Sequence, residues 1–164
     1  MRDRDRDSRG RALNARPRDA TGRPLRPGAD GVPRVPDDLV LDPDTTLDEA
    51  QHLLDADRPF HAHEVLEAAW KASTGDERAL WQGLAQLAVG LTHAQRGNAT
   101  GAASLLERGA ERITPFAADP PYRIDVTGLV RYGTALAARI GADGLDGITG
   151  ADRRPRLRAG VEGG

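Results

Sequence analysis

Cysteine is absent from this chain of 164 residues. That excludes disulfides, thiolate-bound metals and a thiol nucleophile. Lysine is nearly absent, occurring only at Lys71 against 22 Arg, a bias that points to codon usage rather than to phosphate recognition. Aromatic residues make up only 4% of the chain. No stretch approaches the roughly 18 apolar residues of a membrane span, and the charged N-terminus lacks the apolar run of a signal peptide. The expectation is a cytoplasmic protein without a membrane partner. Nor does one sign of charge dominate, since the formal net charge is -2. A duplex-binding protein offers a contiguous basic face with aromatic or amide readers, and none is visible, so nucleic acid is not an expected partner.

Charge divides the chain into three parts. Residues 1–36 hold ten Arg and five Asp with much Pro and Gly, and Arg2 to Asp7 alternate strictly in sign. Such a low-complexity, self-neutralising arm buries too little apolar surface to fold, so it is expected to be disordered. Residues 141–164 are Gly-rich with balanced charge and no periodic apolar positions, and they too are expected to form a disordered tail. Between them, residues 37–140 carry sixteen acidic and nine basic groups, and at this size they can hold a hydrophobic core.

Within that middle part the apolar pattern is helical throughout, and no alternating strand pattern occurs. Thr46 and Glu49 have the form of a capping box, followed by Leu47, Ala50 and Leu54 at helical spacing. Pro59 suits the first turn of a second helix that stops at Gly75; Asp76 can cap a third, ended by Gly97; Asn98 can cap a fourth; Asp125 can start a fifth. The predicted helices are 46–57, 59–74, 77–96, 99–114 and 125–140. Short connections favour antiparallel neighbours. The expected fold is all-α, a single-domain antiparallel bundle of about five helices between disordered tails. Its third helix is apolar on nearly all sides and therefore belongs at the centre.

The candidate chemistry lies in the second helix. His63, Glu67 and Trp70 are spaced by four and three residues, so they stack on one face with Phe60 one turn earlier. The only polar line of the third helix is Gln82, Gln86 and His93, and it is expected to meet the His63/Glu67 face. Three readings compete. Glu67 can simply accept a hydrogen bond from His63, which is the commonest role of such a pair. Alternatively His63, Glu67 and His93 are ligands of a divalent metal of undetermined identity. In the third, Glu67 and His63 are a metal-free catalytic acid–base pair walled by Trp70 and Trp81. Glu64, about 100° round the helix from His63, is expected at the rim or in solvent. His52 and His61 read as surface residues, and Trp70 and Trp81 as core anchors. The N-terminus of the fourth helix at Asn98 could hold an anion.

His63-x-x-x-Glu67-x-x-Trp70, with Phe60 before it, is followed by Trp81-Gln82-Gly83-Leu84-Ala85-Gln86-Leu87-Ala88-Val89 and by His93-x-x-x-Gly97-Asn98-x-x-Gly101-Ala102. These linked blocks resemble domain of unknown function 309, a family of small bacterial and archaeal proteins described by an HxxxExxW/Y motif, helical architecture and a suspicion of metal binding. The likeness runs from about Gly31 to Ile113 and omits both tails and the fifth helix. It implies a functional site at His63, Glu67 and Trp70 without naming a reaction. The combined expectation is an intracellular site between the second and third helices that binds a divalent metal or a small polar ligand. Its metal ligands would be His63, Glu67 and His93, with Trp70, Gln82, Gln86 and Asn98 as ligand-binding residues. The alternative is a non-enzymatic helical interaction module in which the His–Glu–Trp cluster is scaffolding. No partner is named by the sequence, which leaves self-association open.

Overall fold

The computed structural model describes residues 42–159. The expected disordered arm, residues 1–36, lies outside them. Among the described residues there are five α-helices and no paired strands: α1 Pro43–Asp55, α2 Pro59–Ala72, α3 Glu77–Gln95, α4 Ala99–Ile113 and α5 Val126–Asp143. The all-α expectation holds. Helix α1 starts earlier than the Thr46 capping box suggests. Asp42 is the cap, accepting the Thr45 amide at 2.7 Å on Oδ1, and Pro43 occupies the first turn, where its fixed φ and missing N–H cost nothing. Asn98 and Asp125 cap α4 and α5 as expected, through the amides of Gly101 at 3.0 Å and Gly128 at 3.1 Å. Asp76 does not cap α3 with its side chain, because its own backbone is already helical.

Helix α3 lies between α2 and α4, α1 packs on α2, and α5 packs on α4. Arg96 at the end of α3 sits over Phe60 at the start of α2, while Arg78 at the start of α3 sits over Trp70 near the end of α2. The two helices therefore run in opposite directions. Leu66, Leu80, Leu84 and Leu91 are at most 1% exposed and form the centre of the core. Burying each such side chain contributes about 1.5–3 kcal/mol. On the other flank of α3, glycines let α4 approach closely. A Cβ on Gly90 would come 2.9 Å from Leu106 Cγ, and one on Gly109 would meet the carbonyl oxygen of Gly83 at 2.8 Å.

The chain beyond α5 departs from expectation. Residues 141–159 are not a disordered tail: α5 continues to Asp143, Gly144 leaves the helix at φ 73, and the remainder packs back across α1. Leu157 is 3% exposed in the core cluster. Its amide donates to Gln51 Oε1 at 2.8 Å, and Gln51 Nε2 donates to the Pro155 carbonyl at 2.9 Å. Arg158 pairs with Asp44 and Asp48 of α1, and Ile124 forms an isolated antiparallel bridge to it. The Tyr132 hydroxyl donates to the Asp152 carbonyl at 2.6 Å. Buried Pro155 and Leu157, the half-buried Leu145 and Ile148, and long-range polar contacts hold this segment, and none of them leaves a periodic pattern in the sequence.

Candidate functional site on the second helix

Residues 59–70 contain no exposed side chain, although they carry two histidines and two glutamates. These four polar residues fall into two sets with different surroundings. His61 is 1% exposed and Glu64 8%. They are the buried polar groups of α2, which reverses the expectation that His61 lies on the surface and Glu64 at the rim or in solvent. The other pair is the expected one. His63 Nε2 lies 3.9 Å from Glu67 Oε1, and these side chains retain 19% and 17% exposure. Trp70 completes the line, half-buried.

The line is bracketed by cation–aromatic contacts from both ends of α3. The Arg96 guanidinium carbon is 5.7 Å from the Phe60 ring centroid, and that of Arg78 is 5.3 Å from Trp70. Within the line, the Phe60 and His63 rings are 5.6 Å apart. Phe60 is half-buried. All six residues Phe60, His61, His63, Glu64, Glu67 and Trp70 have interaction partners. Helical spacing and antiparallel packing thus produce a strip along one edge of α2: Arg96, Phe60, His63, Glu67, Trp70 and Arg78. A guanidinium lying over an aromatic face gains about 0.5–1 kcal/mol at an exposed site and keeps its in-plane N–H groups available for other contacts.

The polar line of α3 is engaged elsewhere. Gln86 lies three residues from Gly83 and four from Gly90, the positions where α4 touches α3. Its Oε1 accepts from Arg112 Nε of α4 at 3.0 Å. His93, three residues beyond Gly90, takes the equivalent place at the other end of α4, where Asn98 Nδ2 is 3.1 Å from its Nδ1. Because Asn98 Oδ1 is already the helix cap, its amide nitrogen is the donor and His93 Nδ1 the acceptor, which requires a neutral ring. Burial, reinforced by the nearby Arg96 charge, lowers the pKa of His93 and favours that form. Asn98 is thus spent on capping and on His93. Gln82 is half-buried on the same line.

A divalent metal, as the family resemblance implies, needs three or four protein ligands in a closed or catalytic site. His63 and Glu67 are close enough to share one ion. Among the described residues, however, no three His, Asp or Glu side chains gather in a way that could hold a metal, so His93 does not join them.

A second polar cluster carried no signal in the sequence. The Tyr122 hydroxyl donates to both carboxylate oxygens of Glu77 at 2.8 Å, and Trp81 Nε1 lies 3.4 Å from one of them. Tyr122 and Arg123 both have positive φ, 57° and 61°. The Glu77 carboxylate raises the pKa of Tyr122, chiefly through the hydrogen bond. Trp81 itself is 2% exposed, the core anchor expected of it. Pairing of Tyr122 with Glu77 fastens the α4–α5 connection to the start of α3.

No helix among the described residues is long and apolar enough to cross a membrane. Residues 47–105 match the family model of a domain of unknown function, DUF309. The matched segment contains His63, Glu67 and Trp70 and begins and ends inside the wider likeness seen in the sequence. No curated protein and no solved structure matches the chain.

Proposed function

We propose that the strip on α2, which lies within the residues 47–105 that match the DUF309 family model, is a recognition site for a compact polar ligand, contacted by His63 and Glu67 and flanked by Trp70. The observation that carries this reading is the contrast in burial between His61 and Glu64 and the pair His63 and Glu67 on the same helix. His61 and Glu64 are at most 8% exposed, as scaffolding requires. His63 and Glu67 keep 19% and 17% of their side chains at the surface, where a ligand can reach them. Binding sites combine apolar walls with a few convergent polar groups, and Phe60 and Trp70 supply the walls here. Gln86, bonded to Arg112 of α4, and His93, bonded to the α4 cap Asn98, serve the α3–α4 contact and are not needed by this reading of the site.

The competing reading is an interaction module in which the strip is internal scaffolding. What favours it is the lack of any fully exposed side chain from residue 59 to residue 70. Native mass spectrometry of the full chain, purified without a metal-affinity tag, separates the two. An adduct retained by the wild type and lost in Glu67→Gln, at a nearly unchanged melting temperature, supports recognition. Glu67→Gln keeps the shape and a hydrogen-bonding end, so it removes charge with little loss of packing. Unfolding of Glu67→Gln together with an adduct-free wild type supports scaffolding. A stoichiometric metal adduct would mean that donors beyond the described residues complete a metal centre.

A further inference from the structure

The turn that launches α2 is held from three directions. Asp57 is left-handed, at φ 61, a conformation that costs energy for a residue with a side chain and persists where the surroundings enforce it. Its amide donates to the Leu54 carbonyl at 2.9 Å, and the next amide, of Arg58, donates to Leu53 at 2.9 Å, so α1 holds one side. From α3, Gln95 Nε2 donates to the Asp57 carbonyl at 2.6 Å. The third hold comes from the far end of the chain. Arg153 grips the Asp57 carboxylate with two in-plane donors, Nε to Oδ1 at 3.2 Å and Nη2 to Oδ2 at 2.9 Å. Such a fork fixes direction as well as distance. Hydrogen bonding to Asp57 raises the already high pKa of Arg153, so the fork stays charged.

Arg153 is itself anchored to α5. Asp152 beside it accepts from Arg139 Nη1 at 3.2 Å and from the Thr149 amide at 2.9 Å, and its carbonyl accepts from Tyr132. Arg58, Pro59 and Phe60 follow Asp57, and Phe60 is the first member of the strip. A continuous run of contacts therefore joins α5 to the motif through residues that no spacing in the sequence connects.

We infer that Arg153 is a positioning residue for the motif: through Asp57 it sets the turn from which Phe60 and His63 are presented, so the segment after α5 governs the geometry of the strip. The inference concerns the site proposed above, but its test needs no ligand. A failed search for a ligand leaves it standing, and its own failure leaves the Glu67→Gln result standing.

The experiment is residue-resolved amide hydrogen exchange on the full chain. In Arg153→Gln the amides of Asp57, Arg58 and Ala62 should exchange at least about tenfold faster, while those of Leu106 and Ala110 in α4 keep their wild-type rates, because local opening rises and global stability does not. Asp57→Asn tolerates the left-handed conformation and removes only the charge; it should reproduce the effect, and it provides the test should Arg153→Gln fold poorly. Arg153→Lys keeps the charge without the fork and should fall between. Acceleration below about twofold at residues 57–62, or by one common factor at every amide, overturns the inference, since the contact would then contribute to general stability alone.

Discussion

Leu157→Ala is the sharpest test of the segment after α5. Leu157 is 3% exposed and packs in the same cluster as Leu47 and Leu54 of α1. At roughly 0.8 kcal/mol per buried CH2, truncation to Ala forfeits about 2.4 kcal/mol of transfer free energy. An unrelaxed cavity would take the loss toward about 3–5 kcal/mol. Leu157 lies on an irregular segment between exposed Arg156 and Ala159 that can relax into part of the cavity, so the expected loss is about 2–3 kcal/mol. For a chain of this size that lowers the melting temperature by about 5–12 °C. Urea denaturation of the full chain, followed by circular dichroism, measures it directly. Arg154→Ala, an exposed change in the same segment, is the control and should stay within about 0.5 kcal/mol of wild type. If Leu157→Ala is no more destabilising than this control, the segment contributes nothing to the core and the packing argument fails.

The remaining expectations follow from single contacts. His93 has a folded pKa below its ordinary value, so the unfolded state binds its proton first; stability should be full above about pH 6.5 and decline as pH falls below that value. In melting curves from pH 7.5 to 5.0, His93→Gln should have a shallower decline than wild type, and identical slopes would refute the assignment. Gly90→Val puts bulk where a Cβ already meets Leu106 Cγ at 2.9 Å, and overpacking of that kind should destabilise by about 1–3 kcal/mol in denaturant unfolding. Asn98→Ala removes both the cap on Gly101 and the donor to His93; a loss of about 0.5–2 kcal/mol is expected, and a neutral result would show that the α4 start needs no side-chain cap.

Helix positions were legible in the sequence because their causes are local. Pro59, Gly97 and Asn98 start or stop helices through local properties of single residues: α2 begins at Pro59, α3 ends two residues before Gly97 and α4 begins directly after Asn98. The centrality of α3 was legible for a similar reason: a helix apolar on most sides must be covered on most sides. The α1 start was misjudged because two capping signals overlapped. Asp42-Pro43 prevailed over Thr46/Glu49 since Pro pre-sets the first turn, whereas a capping box at Thr46 would leave that turn outside the helix. The segment after α5 was illegible because its contacts are between residues about a hundred positions apart, such as Gln51 with Leu157 and Asp57 with Arg153.

The site was half legible, and the limit is instructive. Spacing alone states that His63, Glu67 and Trp70 share a line, and equally that His61 and Glu64 share a neighbouring one. Which line is covered depends on where α1, α3 and the rest of the chain lie, and helical periodicity carries no information about that. The same ambiguity placed Gln86 and His93 opposite α2. A polar line on a central helix must find partners, but Gly83 and Gly90 had already assigned that side of α3 to α4, because only glycine admits the backbone approach seen there. Small residues at seven-residue spacing on a central helix were therefore the available signal for the α3–α4 contact. Once they are given that role, Gln86 and His93 fall to α4 by arithmetic, and His63 and Glu67 are left as a pair whose polar ends must be satisfied without them.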